Sequence, residues 1–153
     1  AITAVMMLCE AAAYYKKKGL TLWDQMLNIY KKYGFYKEGI STITLKGADG
    51  AVKMKELLDS IRNNPPSELG GYKVTRVRDY KTGKIVDTKT GKETETGLPT
   101  SNVLYYDLEN DAWCCVRPSG TEPLVRVMLE GKDEGQLREL ATNLANLIQS
   151  KLS

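Results

Sequence analysis

Apolar residues recur along this 153-residue chain with two different periods, and the change between them falls near residue 39. The first 18 residues carry Ala, Met, Leu and Tyr at helical spacing. Lys16, Lys17 and Lys18 close that run, where cations suit the partial negative charge of a helix C-terminus, and Gly19 is the expected stop. Thr21 and Asp24 then form a capping-box pattern, with Asp in the usual place of Glu or Gln. Leu22, Met26, Ile29, Tyr30 and Tyr33 follow at helical spacing, and Gly34 ends the segment. Residues 1–39 therefore read as a helical hairpin whose apolar faces two helices could not cover. We expect them to be the end of a preceding domain, truncated at the start of this chain.

After Gly39 the period shortens. Ile40–Leu45 alternates and is β-branched, the pattern of a strand. Asp49 is placed to cap a helix running to about Asn63, with Val52, Leu57, Leu58 and Ile61 on one side; Pro65 and Pro66 forbid its continuation. Strands follow at Tyr72–Tyr80, Val103–Leu108, Trp113–Val116 and Leu124–Glu130, with Glu109-Asn110-Asp111 as a turn. Residues 81–101, rich in Thr, Gly, Lys and Glu, read as a surface loop with a small hairpin across Lys89–Lys92. A last helix opens at Asp133 with the stripe Leu137, Leu140, Ala141, Leu144, Leu147 and Ile148. The order over 40–153 is β-α-β-β-β-β-α. Runs of consecutive strands predict an α+β fold: an antiparallel sheet with both helices on one face.

Composition narrows what such a domain does. The chain has no His, which removes His-based catalysis and His metal ligands. Net charge is +3, and residues 49–153 carry one more acidic than basic group, so no basic stripe favours nucleic acid. No stretch is suited to cross a membrane. Cys9, Cys114 and Cys115 lack zinc or redox spacing, which fits a reducing, intracellular setting.

One segment carries chemistry that a plain hairpin would not need: Arg117-Pro118-Ser119-Gly120-Thr121-Glu122-Pro123, with Arg126 close behind. It offers a guanidinium, two hydroxyls and a Gly through which backbone N–H groups can converge on an anion. Arg117 can donate bidentately to phosphate oxygens, Arg126 adds a second charge, and Pro118 and Pro123 restrict the loop in advance. A rigid Arg-Pro corner with a Ser-Gly turn accounts for the same residues, and composition alone leaves both readings open.

The string RPSGTEPLVRVMLEG resembles the phosphate-binding loop in the C-terminal domain of the α-D-phosphohexomutases, the phosphoglucomutase/phosphomannomutase superfamily. CEAAAYYKKKGLTLWDQMLNIYKKYGFY, ISTITLKGADG, NPPSELGGYKV and LPTSNVLYYDL extend the likeness along essentially the whole chain, toward the bacterial α-phosphoglucomutase branch. The resemblance implies a TATA-box-binding-protein-like fold for residues 40–153 and the end of a third domain for 1–39. It implies that Arg117, Ser119, Gly120, Thr121 and Arg126 grip the substrate phosphate that is not reacting, while Pro118, Glu122 and Pro123 shape the loop. The full-length parent would interconvert glucose 1-phosphate and glucose 6-phosphate through a phosphoserine and a 1,6-bisphosphate, with Mg2+. No segment here matches that serine, the Asp-rich magnesium loop or the sugar-recognition loop, so this chain alone is expected to be inactive. It is expected to bind no cofactor beyond phosphate or sulfate, and its partners to be a phosphosugar and the three missing domains. Alternatives are a phosphomannomutase or phosphoglucosamine mutase, or a non-catalytic binding module.

Other marked residues read as structure. Asp107, Glu109 and Asp111 look like a solvated hairpin end rather than a metal site, and Trp113 like a packing anchor. Cys114 and Cys115 point to opposite faces of a strand and cannot share a metal without distortion. Tyr30, Tyr33, Phe35 and Tyr36 read as an interdomain seam, with Tyr14 and Tyr15 packing on the missing domain.

Overall fold

The computed structural model describes residues 2–44, 49–120, 122, 124–133, 135, 139 and 142–143. The chain forms two compact units, 1–36 and 37–153.

The first unit is α1 (Ile2–Lys16) and α2 (Leu22–Tyr33). Gly19 lies at φ 71°, in the left-handed region that a helix stop requires and glycine adopts at no steric cost. The capping box forms as the sequence predicts. The Thr21 N–H donates to Asp24 Oδ2 at 2.8 Å, and the Asp24 N–H donates to Thr21 Oγ1 at 3.1 Å. The Thr21 hydroxyl, which donates to Asp24 Oδ2 at 2.6 Å, and next the Thr21 N–H hold the Asp24 carboxyl below its ordinary range. Within this unit Tyr30 stacks on Phe35 at 4.8 Å and Tyr14 meets Tyr15 edge-on at 5.1 Å.

The second unit is built on β1 (Lys37–Thr44), α3 (Gly50–Asn63), β2 (Glu68–Leu69), β3 (Tyr72–Asp79), β4 (Lys84–Asp87), β5 (Glu93–Glu95), β6 (Leu104–Leu108), β7 (Trp113–Pro118) and β8 (Leu124–Gly131). β1 thus begins at Lys37, and Lys37–Gly39 belong to the strand. The sheet runs β1-β8-β7-β6-β3-β4-β5, antiparallel at every described pair, with β2 attached to β3. The β4–β5 hairpin falls where the sequence suggests one. Its turn is held by Asp87, whose Oδ1 accepts from the N–H groups of Thr90 at 2.8 Å and Lys89 at 3.1 Å.

One face of the sheet is the core. α3 lays Leu57, Leu58 and Ile61 against Val74, Tyr106, Cys114, Val116, Val125, Val127 and Leu129. Strict alternation along β6 and β8 sends Tyr105, Asp107, Arg126 and Met128 to the other face, opposite α3. A bulge between Val74 and Arg76 lets β3 aim both Val74 and Val77 at the core, although they stand three residues apart.

Two readings need correction or limit. Asp49 precedes α3 but makes no side-chain cap bond; at φ −94° and ψ 3° it lacks the extended backbone a cap needs, and it pairs instead with Lys53 at 3.4 Å. Gly135, Glu139, Thr142 and Asn143 are helical, while the stripe Leu137, Leu140, Ala141, Leu144, Leu147 and Ile148 lies outside the described residues. α3 is therefore the helix whose packing on the sheet is described.

Candidate functional site

The loop singled out by sequence joins β7 to β8, which are neighbours in the sheet. Their register sets Arg117 directly opposite Arg126. Directly opposed residues on antiparallel strands share a face with Cβ atoms roughly 4.5–5.5 Å apart, and like charges there are destabilising. Among the described residues neither guanidinium meets an acidic partner, in contrast to every other arginine that the sheet and α3 present. Arg62 takes Asp59 and Asp79. Arg76 and Arg78 share Asp107, and Arg78 makes a fork of 2.9 and 2.6 Å to its two oxygens. Two facing cations at the end of a strand pair, without an acidic partner among the described residues, can take an anion between them.

The loop closes tightly above them. The Ser119 N–H donates to the Leu124 carbonyl at 2.8 Å, and the Leu124 N–H donates to the Glu122 carbonyl at 2.8 Å. The Ser119 amide is thereby committed to the loop itself. Pro118 ends β7, half-buried, and Glu122 is exposed. Thr121 and Pro123 lie outside the described residues.

Gly120 corrects a simple view of the motif. Its backbone does not occupy the left-handed region, and a Cβ built on it meets nothing within 4 Å. Among the described residues neither strain nor crowding demands glycine; what the missing side chain leaves is open approach to the backbone. Gly120→Ala is therefore expected to change stability by less than about 0.5 kcal/mol while weakening phosphate binding several-fold, as read by urea unfolding and ligand titration. A large stability loss with binding intact would assign Gly120 to the fold.

Around the pair, the same face carries Cys115, Tyr105 and Trp113. Burial pushes the Cys115 thiol up, and the Arg117 charge draws it partly back. Burial, with the Asp107 charge, pushes the Tyr105 hydroxyl up to about 12. Trp113 stacks on Tyr105 at 5.3 Å and Arg78 lies over the Tyr105 ring at 5.0 Å, a packed stack consistent with an anchor. Asp107 is spent on two arginines and Asp111 on Lys132 at 2.7 Å. Among the described residues no group of three or more potential ligands could hold a metal, and these carboxylates do not fit a magnesium ion. No helix of the described residues is long and apolar enough to cross a membrane. The sequence reading named neither the Arg78–Asp107 fork nor the Arg62–Asp79 pair, since 29 and 17 residues separate the partners and no local spacing announces them.

Comparison with known proteins places this geometry in context. Residues 72–147 match the family described as phosphoglucomutase/phosphomannomutase, C-terminal domain. A phosphoglucomutase of Staphylococcus aureus (strain MRSA252) is 30% identical over 132 residues, 86% of this chain and 24% of its own length. A phosphoglucosamine mutase of Clostridioides difficile (strain 630) is 74% identical over 46 residues, 30% of this chain and 10% of its own. The chain thus spans about a quarter or less of these curated relatives. Among solved structures, parafusin, an exocytosis-sensitive phosphoprotein and phosphoglucomutase from Paramecium in its open form, aligns with a TM-score of 0.50 and 16% identity. That alignment covers 98% of this chain and 27% of that one, and it shows a shared fold.

Proposed function

Because residues 72–147 belong to the phosphoglucomutase/phosphomannomutase C-terminal domain family, we propose that this chain is the part of a longer, cytoplasmic phosphohexomutase that holds the sugar phosphate remote from the reacting end. The observation that supports the reading most directly is the Arg117–Arg126 pair, set face to face by the β7–β8 register beneath the loop and without an acidic partner among the described residues. A phosphate monoester carries roughly −1.5 to −2 at neutral pH. Held between two guanidinium groups it turns their repulsion into two charge-assisted, fork-shaped contacts. Ser119 and Thr121 add hydroxyls, and Gly120 leaves room for close approach.

The parent reaction we propose is exchange between glucose 1-phosphate and glucose 6-phosphate, with a phosphoserine donor, a 1,6-bisphosphate and Mg2+ supplied outside this chain. The chain's own contribution is binding and orientation. A site that reads phosphate through guanidinium and hydroxyl groups, and touches no sugar stereocentre, accepts either end of a bisphosphate after it turns over. Binding energy collected at the remote phosphate positions the reacting one, which is where it can accelerate the chemistry. On this reading the 153-residue chain alone has no mutase activity. The 46 residues at 74% identity favour a second reading, a phosphoglucosamine mutase parent. Assay of the full-length parent on glucose, mannose and glucosamine phosphates separates these.

An amide NMR titration of the chain with inorganic phosphate, glucose 6-phosphate and glucose tests the site. Saturable shifts at Ser119 and Gly120 are expected with both phosphate ligands and not with glucose, at millimolar affinity, about −4 kcal/mol. Arg117→Ala is expected to abolish them. Shifts that survive in Arg117→Ala would refute the assignment.

A further inference from the structure

We propose that the edge strand β1 contributes to the same site, with the Thr42 hydroxyl as a third group holding the phosphate beside Arg126 and Arg117. The proposal rests on the phosphate-binding reading above and extends it to a strand far away in sequence. β1 pairs with β8 so that Thr42 stands directly opposite Arg126, as Arg126 stands opposite Arg117. The three side chains form one row across three strands, on the sheet face that α3 does not cover, each roughly 4.5–5.5 Å from the next at Cβ. Thr44, two residues on, stands opposite Leu124, where the loop re-enters β8, so the row lies one step below the loop.

The state of the hydroxyl is the second observation. Thr75, Thr82, Thr88 and Thr90 all spend theirs inside the fold. Thr75 Oγ1 donates to the Asp107 carbonyl at 3.0 Å, Thr88 Oγ1 to the Val74 carbonyl at 2.6 Å, Thr82 Oγ1 to Asp79 Oδ2 at 2.8 Å and Thr90 Oγ1 to Asp87 Oδ1 at 2.8 Å. Thr42 is exposed, and among the described residues no hydrogen bond engages its side chain. A hydroxyl is also the group this position can take at least cost. A third cation would worsen the Arg117–Arg126 repulsion, a carboxylate would fill the site from within, and a hydroxyl donates to a phosphate oxygen without doing either. It can also accept a hydrogen bond from a monoprotonated phosphate, which a guanidinium cannot.

The test titrates inorganic phosphate and glucose 6-phosphate into wild type, Thr42→Val, Thr42→Ser and Arg117→Ala. Valine keeps shape and β-branching, so the thermal midpoint is expected to stay within about 2 °C, since an exposed, shape-conserving change is small. Kd for both ligands is expected to rise about tenfold in Thr42→Val, the loss of one hydrogen bond to a charged group, and to return to within about twofold in Thr42→Ser, which restores the donor. Unchanged affinity in Thr42→Val, with binding lost in Arg117→Ala, would overturn the role of β1 and leave the loop site standing. Unchanged affinity in both would overturn the phosphate reading along with it.

Discussion

Replacing Arg117 by threonine is expected to strengthen the sheet and remove its anion binding in the same step. In the free protein Arg117 and Arg126 face each other in register without a counter-charge among the described residues. Relieving a like-charge cross-strand pair with a β-branched residue is worth a few tenths to about 1 kcal/mol. With phosphate present the order reverses. Ligand at ten times its Kd stabilises the wild-type fold by about 1.4 kcal/mol, and the variant, with one guanidinium left, gains little of this. Urea midpoints measured with and without glucose 6-phosphate, at ionic strength matched with chloride, are therefore expected to cross. A variant more stable in both conditions would mean that the pair is no ligand site, and a wild type more stable in both would mean that the pair is not strained. The crossing is the signature of a residue placed for binding at the expense of stability, which a merely structural arginine would not give.

Much of this was legible in the chain because it is written in local grammar. The Thr21–Asp24 cap, the Gly19 stop, α2, α3 and the β6 and β8 alternations depend on residues within a few positions of one another, and each formed where its pattern stands. The loop stood out for a different reason: a charged, Pro-bracketed heptad between two apolar strands carries more than a plain hairpin requires, although a rigid corner accounts for the same residues. What could not be read was register. That Arg126 stands opposite Arg117 follows from a hairpin and could be approached from sequence, but that Thr42 joins them requires β1 to pair with β8 across more than 80 residues. The bulge in β3 hid the core pattern of Val74 and Val77 for a related reason, because it breaks the alternation by which a strand face is recognised. The Asp49 cap failed on backbone geometry, which residue type alone does not specify.

The largest loss of stability is expected from Arg62→Leu, a residue that no motif marks. Its guanidinium ties α3 to β3 through Asp79 and to the segment before β6 through Asn102, and it also pairs with Asp59 on α3 itself. Nε donates to Asp79 Oδ1 at 3.2 Å, Nη1 to Asp59 Oδ1 at 2.7 Å and Nη2 to Asn102 Oδ1 at 2.7 Å. The Arg62 and Asp79 side chains are only 11% and 12% exposed. Asp79 in turn accepts from the Lys81 N–H at 3.0 Å and the Thr82 hydroxyl at 2.8 Å, which fixes the start of the β3–β4 turn. Removing the arginine leaves a carboxylate buried without its cation, and breaking such a pair from one side costs about 3–5 kcal/mol. That is a large share of the 5–15 kcal/mol by which a domain is ordinarily stable. The double variant Arg62→Leu/Asp79→Leu is expected to recover part of the loss, because an apolar pair removes the uncompensated charge. Recovery stays incomplete, since the Lys81 and Thr82 donors lose their acceptor. Urea unfolding of the two variants decides it. A single-variant loss below about 1 kcal/mol, in the range of a surface ion pair, would show that water reaches Asp79 freely and that the clamp does not hold α3 to the sheet.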